Sequence, residues 1–223
     1  FWPAQRQGDN DVTLYHSNGS LEPMETLYFL RQQMPKGELP NLSLADYIAP
    51  ADAGKMDYIG GFVVTAGLGA DELAKRYEKD NDDYRAILAK ALADRLAEAF
   101  AERMHERVRK EFWGYQSDEA LSNADLIAEK YQGIRPAPGY PACPDHSEKT
   151  TLFKLLDADR IGVTLTESYA MWPAASVSGL YFANPNARYF SIGRIDAEQA
   201  DDLAERKGVD SAAMRKLLAP VMD

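Results

Sequence analysis

The run Arg135-Pro-Ala-Pro-Gly-Tyr-Pro-Ala-Cys-Pro-Asp-His146 holds the densest chemistry in the sequence. Prolines at 136, 138, 141 and 144 each fix φ and remove an N–H donor. No helix forms through such a stretch, and little conformational entropy is left to lose on binding. It reads as a stiff loop rich in carbonyl acceptors, suited to an amino-bearing ligand. Arg135 adds a planar fork for a carboxylate. Tyr140 adds a ring face and a hydroxyl. The plainer alternative is a rigid structural crossover, and the arginine, glycine and tyrosine inside the loop weigh against it.

Other constellations are weaker. Cys143 and His146 are spaced as C-x-x-H, but one cysteine cannot build a Cys-rich zinc site, and the other histidines are His16 and His105. A thiol nucleophile with a histidine base is the second reading of that pair. A cysteine between prolines is more commonly a small packed side chain. Gly67-Leu-Gly69 follows an apolar strand and opens a helix, like the start of a dinucleotide fingerprint. Glu72 stands where the third glycine belongs, so a tight strand-to-helix turn is the better reading. Asp94 and Glu98 lie one turn apart among alanines, on a face shared with Lys90 and Glu102, which also suits a solvated surface. Met171 to Gly179 is a run of small residues after Trp-Pro, fit for a planar ligand or a tightly packed strand.

These residues need elements to hold them. Val12–Tyr15, Thr26–Leu30, Tyr58–Thr65, Val177–Phe182 and Arg188–Ile192 read as strands, the third apolar throughout and central. Phe1-Trp2 reads like the inside of a strand, and the chain like a piece of something longer. Ala70–Asp80 is a short helix. Asp82 or Asp83 then caps a long one that Gly114 stops. In it Leu88, Leu92, Leu96, Phe100, Met104, Val108 and Phe112 recur every four residues as one apolar ridge. Glu98 falls about 200° round from Leu96 at 100° per residue. At 1.5 Å per residue the helix is roughly 45 Å long. Ser122 with Asp125 opens a further helix as a capping box, ended by Gly133. Glu148–Leu156, Ala197–Lys207 and Ser211–Leu218 are helical. Strands at both ends with helices between predict an α+β fold with a mainly antiparallel sheet.

Composition bounds the function. The 223 residues carry 25 Lys plus Arg against 35 Asp plus Glu, a formal net charge of -10. Such a surface repels phosphate backbones, so nucleic acid is not the expected ligand. No apolar run is long enough to span a membrane. One cysteine excludes an internal disulfide.

The segments GIRPAPGYPACPDH (133–146), LTESYAMWPAASVSGLYF (165–182), KALADRLAEAFAERMHERVRKEFWGY (90–115) and DYIGGFVVT (57–65) together resemble the S-adenosylmethionine-binding activation domain of cobalamin-dependent methionine synthase. The resemblance runs from residue 1 to near the C-terminus. It implies one curved α+β domain over residues 1–223, with a mainly antiparallel sheet, one long helix and several short flanking helices. It implies reductive remethylation of cob(II)alamin, with S-adenosylmethionine as methyl donor and a flavodoxin or flavodoxin-like reductase supplying an electron, in the cytoplasm.

On the same resemblance, Arg135 matches the arginine that opens the family's RxxxGY motif and holds the methionyl end of the ligand. Ala137, Gly139 and Tyr140 match the loop's backbone and ring contacts. Glu98 matches an anionic partner for the ligand's positive charge. Tyr189 matches a contact tyrosine, and Phe190 stands where the family often has a second one. Ala174, Ala175, Ser176, Val177, Ser178 and Gly179 match the corrin-facing surface. No catalytic residue and no resident metal are implied, because the sulfonium methyl is already activated. The Asp-x-His-x-x-Gly cobalt-ligand motif is absent, so a cobalamin-binding domain on the same or a separate chain must bring the corrin. The family also has a portion upstream of Phe1, with an aspartate that contacts the ligand's amino group. A noncatalytic binding module on the same fold is the competing expectation.

Overall fold

The computed structural model describes residues 1–222. Its strands are β1 (Trp2–Gln7), β2 (Asp11–Tyr15), β3 (Pro23–Tyr28), β4 (Asp57–Thr65), β5 (Thr164–Leu165), β6 (Met171–Trp172) and β7 (Ser176–Tyr181). Its helices are α1 (Ala70–Lys79), α2 (Asp83–Arg107), α3 (Asn123–Ile127), α4 (Glu148–Leu156), α5 (Ala197–Lys207) and α6 (Ser211–Leu218). The main sheet has the order β3-β2-β1-β4-β7, and β5 pairs with β6 apart from it. The α+β class agrees with the sequence reading. The chain divides into two compact units, Phe1–Gly60 with Gln132–Thr151 and Leu180–Asp223, and Gly61–Tyr131 with Leu152–Gly179.

In the first unit β1 pairs antiparallel with β2 (Ala4 opposite Leu14) and with β4 (Trp2 opposite Ile59). β2 pairs antiparallel with β3, with a bulge at Leu14/Tyr15. Gly60 has no room for a side chain, because a Cβ would press into the Phe1 ring and Tyr181 Cβ. Helices α5 and α6 begin at Asp196 and Asp210, whose carboxylates accept the N–H of Gln199 and Ala213. Their buried faces (Ala200, Leu203, Ala204, Met214 and Leu218) close on Leu30, Ile192 and Ile195. Each leucine so buried contributes about 2 kcal/mol of transfer free energy.

Arg188–Ile192, expected as a strand, forms none. Its polar groups find other partners: Tyr47 Oη accepts the Arg188 N–H (3.3 Å) and donates to the Arg188 carbonyl (3.2 Å), and Ile192 N–H donates to Pro141 O (2.8 Å). Backbone polar groups satisfied this way leave no ladder to build, whatever the alternation of the side chains.

In the second unit α1 packs on α2. Asp82 caps α2 by accepting the Arg85 N–H. The apolar ridge is not the buried face. Leu88, Leu92, Leu96 and Phe100 are 40–62% exposed, whereas Ala86, Ala93, Ala97, Ala101 and His105 are buried. Four residues turn 400°, so such a ridge drifts about 40° per step. Over the five steps from Leu88 to Val108 the drift is about 200°, so its two ends face opposite sides. Val108 is accordingly buried. A π-helical turn (Val108–Phe112) follows α2, and Gly114 in left-handed conformation ends the run. Arg109, 1% exposed, pairs bidentately with Glu119 (2.6 and 2.7 Å) and lies over the Tyr131 ring. The Ser122–Asp125 capping box forms as expected. The helix it opens ends at Ile127, with Ala128 as its C-cap, rather than at Gly133, and Glu129 takes the left-handed position. Phe153, Ala158 and Val163 make a small core with Val63, Leu165 and Met171 at its edge.

Candidate functional site

The proline-rich loop belongs to the first unit and is tied at both ends. Ile134 and Phe182 exchange backbone hydrogen bonds (3.0 Å each), and Leu180 N–H donates to Pro136 O (2.9 Å). Inside the loop Tyr140 N–H donates to Ala137 O (3.1 Å), Cys143 N–H to Tyr140 O (2.9 Å) and Gly139 N–H to Cys143 O (2.7 Å). This turn sends Ala142 and Cys143 inward and leaves Tyr140 61% exposed. Arg135, Ala137 and Gly139 are half-buried.

Gly139 is required twice over. Its φ is +95°, where other residues are strained, and a Cβ there would enter the imidazole of His146. The sequence offers His146 as a metal ligand or as the base of a cysteine nucleophile, whereas in the structure its ring backs the glycine. Burial, and then the nearby Lys149 charge, hold His146 below the ordinary histidine range. Lys149 Nζ lies 3.0 Å from His146 Nδ1, and an ammonium can only donate, so Nδ1 accepts.

Tyr189 joins this group: its Oη accepts the Arg135 N–H at 3.1 Å. Phe190 does not. Its ring packs against the cluster of Leu30 and Ile192 and sits edge-on to Tyr47, 6.3 Å between centroids. Gly139, Tyr140, Pro141, His146, Leu217 and Val221 are among the residues that line a cleft of about 250 Å³.

Cys143 is 3% exposed. Burial, reinforced by the Glu148 and Asp145 charges, pushes its thiol well above the usual range. A thiolate nucleophile is therefore disfavoured, and the packed-side-chain reading fits. Among the described residues no group of three or more His, Cys, Asp and Glu is placed to hold a metal.

In the second unit Gly69 (φ +79°) is the N-cap of α1, and a Cβ on Gly67 would collide with Pro173. The Gly67-x-Gly69 segment is thus a close-packed strand-to-helix turn. Of the small-residue run, Ala174 is exposed and Val177 half-buried, while Ala175, Ser176, Ser178 and Gly179 are buried. Ser176 Oγ donates to Pro173 O (2.6 Å) and lies 2.9 Å from Thr65 Oγ1. Most of the run is packed strand, and its open part is Ala174. A shallow cleft of about 190 Å³ lies there, between Pro173–Ala175 and Lys90, Ala93 and Asp94 of α2. Glu98 stands exposed on α2.

The sequence reading passed over one cluster. Lys207 Nζ donates to Asp145 Oδ2 (2.5 Å), Ser147 Oγ (2.7 Å) and Glu148 Oε1 (2.6 Å). Asp145 Oδ1 also accepts the Ser147 N–H (2.8 Å), and Glu148 Oε2 that of Tyr28 (3.3 Å). Asp145 and Glu148 are each 2% exposed. The available signal was Asp-x-Ser-Glu opening a helix. Nothing in the sequence ties it to Lys207. A larger cleft, of about 540 Å³, opens beside this cluster, between Glu25, Thr26 and Tyr28 and Glu148, Thr151 and Lys207.

Residues 1–208 match the family described as vitamin B12 dependent methionine synthase, activation domain. Among solved structures, the chain is similar to that of the MetH reactivation domain bound to AdoHcy. The two are 51% identical with a TM-score of 0.96, over 99% of this chain and 68% of that one.

Proposed function

Because the chain belongs to the activation-domain family of vitamin B12-dependent methionine synthase, we propose that its Arg135–Tyr140 loop holds S-adenosylmethionine for the reductive remethylation of cobalamin. When bound, the sulfonium supplies an already activated methyl group, so no general base is asked of this chain. The chain's task is to bind, orient and exclude water.

The donor set suits that ligand. Arg135 offers a guanidinium to the methionyl carboxylate. Tyr189 fixes the Arg135 backbone through its hydroxyl, and Tyr140 presents an exposed ring to a flat or sulfur-bearing group. Ala137 and Gly139 contribute backbone on a loop held by its own hydrogen bonds. The observation that carries the reading is this pre-formed loop, which ends in a half-buried arginine and an exposed tyrosine. Its support is the AdoHcy-bound relative at 51% identity.

The corrin is brought by a cobalamin-binding domain, on this or another chain, and Ala174 with its neighbouring cleft is the face proposed to meet it. A flavodoxin-type reductase is the proposed electron donor, and the cytoplasm the proposed compartment. Among the described residues no helix is long and apolar enough to cross a membrane. One observation favours the competing reading of a noncatalytic module: Phe190 turns into the core and offers no hydroxyl.

Calorimetric titration with S-adenosylmethionine and AdoHcy, parent beside Arg135→Ala, tests the proposal. The parent is expected to bind both. Loss of the charge-assisted pair should weaken binding by about 1.5–3 kcal/mol, more than tenfold. A folded parent that binds neither would sink the methyl-donor site and leave the noncatalytic module.

A further inference from the structure

We infer that Lys207, at the end of α5, is a positioning residue for the methyl-donor loop, acting through Asp145 and Ser147 on the His146 ring that backs Gly139. This rests on the proposed use of that loop. The three bonds of Lys207 Nζ fall on residues 145, 147 and 148, so the two neighbours of His146 are both clamped by one ammonium. Asp145 Oδ1 and Oδ2 also take the Ser147 N–H (2.8 Å) and hydroxyl (2.9 Å). The backbone at 145–147 is thereby fixed on both sides of the imidazole.

The imidazole occupies the space a Cβ of residue 139 would need. Its place decides where the Gly139 backbone lies, and with it the turn that presents Tyr140. Lys207 suits the task. Its side chain is 11% exposed, and it sits at a helix C-terminus, where a cation is favoured. Gly208 then ends the helix in left-handed conformation. Removing one partner from a buried cluster leaves uncompensated charge, so the cluster holds its geometry firmly.

The test compares the parent, Lys207→Met and the double variant Lys207→Met/Glu148→Gln. Each is titrated with AdoHcy, melted, and followed by amide hydrogen exchange without ligand. Lys207→Met strands two buried carboxylates and is expected to melt lower. The double variant strands only Asp145, which Ser147 still caps, and should regain most of the melting temperature. A positioning role requires AdoHcy affinity to stay about tenfold weaker in the double variant, with the Gly139 and Cys143 amides exchanging faster than in the parent while those of β2 do not. Affinity that returns with the melting temperature would reduce Lys207 to a structural residue and overturn the inference, as would parent-like affinity in both variants. A parent that fails to bind AdoHcy, while its loop amides still depend on Lys207, would sink the site itself and the positioning role with it.

Discussion

Glu148 is pulled two ways. Burial raises its carboxyl, while the Lys207 ammonium and the Tyr28 N–H lower it, and the outcome is a value of about 7. Lys207, Asp145, Lys149 and Cys143 are the titratable groups about it. A carboxyl whose folded value lies above its ordinary 4.5 binds a proton more tightly folded than unfolded. Its contribution to stability is therefore complete below that ordinary value and is lost as pH rises through about 7. Lys207, raised above its ordinary 10.5, shifts stability only in a far more alkaline window. His146 is lowered, so its contribution is lost as pH falls through its folded value, in the opposite sense. The Glu148→Gln variant isolates one group from the rest. Melting scans at pH 5.5 and 8 are expected to show the variant losing less stability than the parent over that interval. Parallel losses would mean that Glu148 is not protonated in the folded chain near neutrality. Sequence reading reached Arg135, Gly139 and Tyr140 because proline and glycine fix a backbone locally. It passed over Asp145, Glu148 and Lys207 because a lysine 62 positions from its partner looks like any solvated charge at a helix end.

Helix α2 sets two kinds of apolar residue side by side. Ala97 is 1% exposed and Leu96 is 62% exposed. The buried face is made of alanines, whose size lets neighbouring segments come close, so added volume has nowhere to go. Ala97→Leu is expected to cost about 1–3 kcal/mol through overpacking. In a chain of this length that is several degrees of melting temperature. Leu96→Gln should change stability by no more than about 0.5 kcal/mol. Thermal melts of the two variants decide the matter, and the reverse order would restore the ridge as the buried face. The long helix itself was legible in the sequence, as were its cap to within one residue (Asp82 or Asp83, of which Asp82 serves), the capping box at Ser122 and the strands β4 and β7, because all rest on local chemistry. Which face of α2 turns inward was not legible. Periodicity sees hydrophobicity, and alanine is too small to register against leucine. The two-residue strands β5 and β6 are shorter than any pattern can mark, and Arg188–Ile192 shows that alternation alone does not make a ladder.

The two compact units have no counterpart in composition, because the chain passes between them four times without a linker-like stretch. Three of those passages fall inside single elements. β4 changes unit between Gly60 and Gly61, α4 between Thr151 and Leu152, and β7 between Gly179 and Leu180. A nine-residue helix is held by successive i to i+4 hydrogen bonds, and one half cannot melt without opening the bonds that end in the other. The same holds for a strand whose ladder runs past the division. Covalent and hydrogen-bonded continuity of this kind argues for one cooperative transition rather than two. The tryptophans allow the test, since Trp2 lies in the first unit and Trp113 in the second. One variant, Trp113→Phe/Trp172→Phe, keeps only Trp2. Another, Trp2→Phe/Trp172→Phe, keeps only Trp113. Each variant's fluorescence melt is set against its own far-UV circular dichroism melt, which removes any difference in stability between the two proteins. In both, the fluorescence and dichroism midpoints are expected to coincide. A tryptophan transition displaced from its own dichroism curve by more than about 5 °C would mean that the unit carrying it unfolds by itself, and that elements shared along the chain do not couple the two cores.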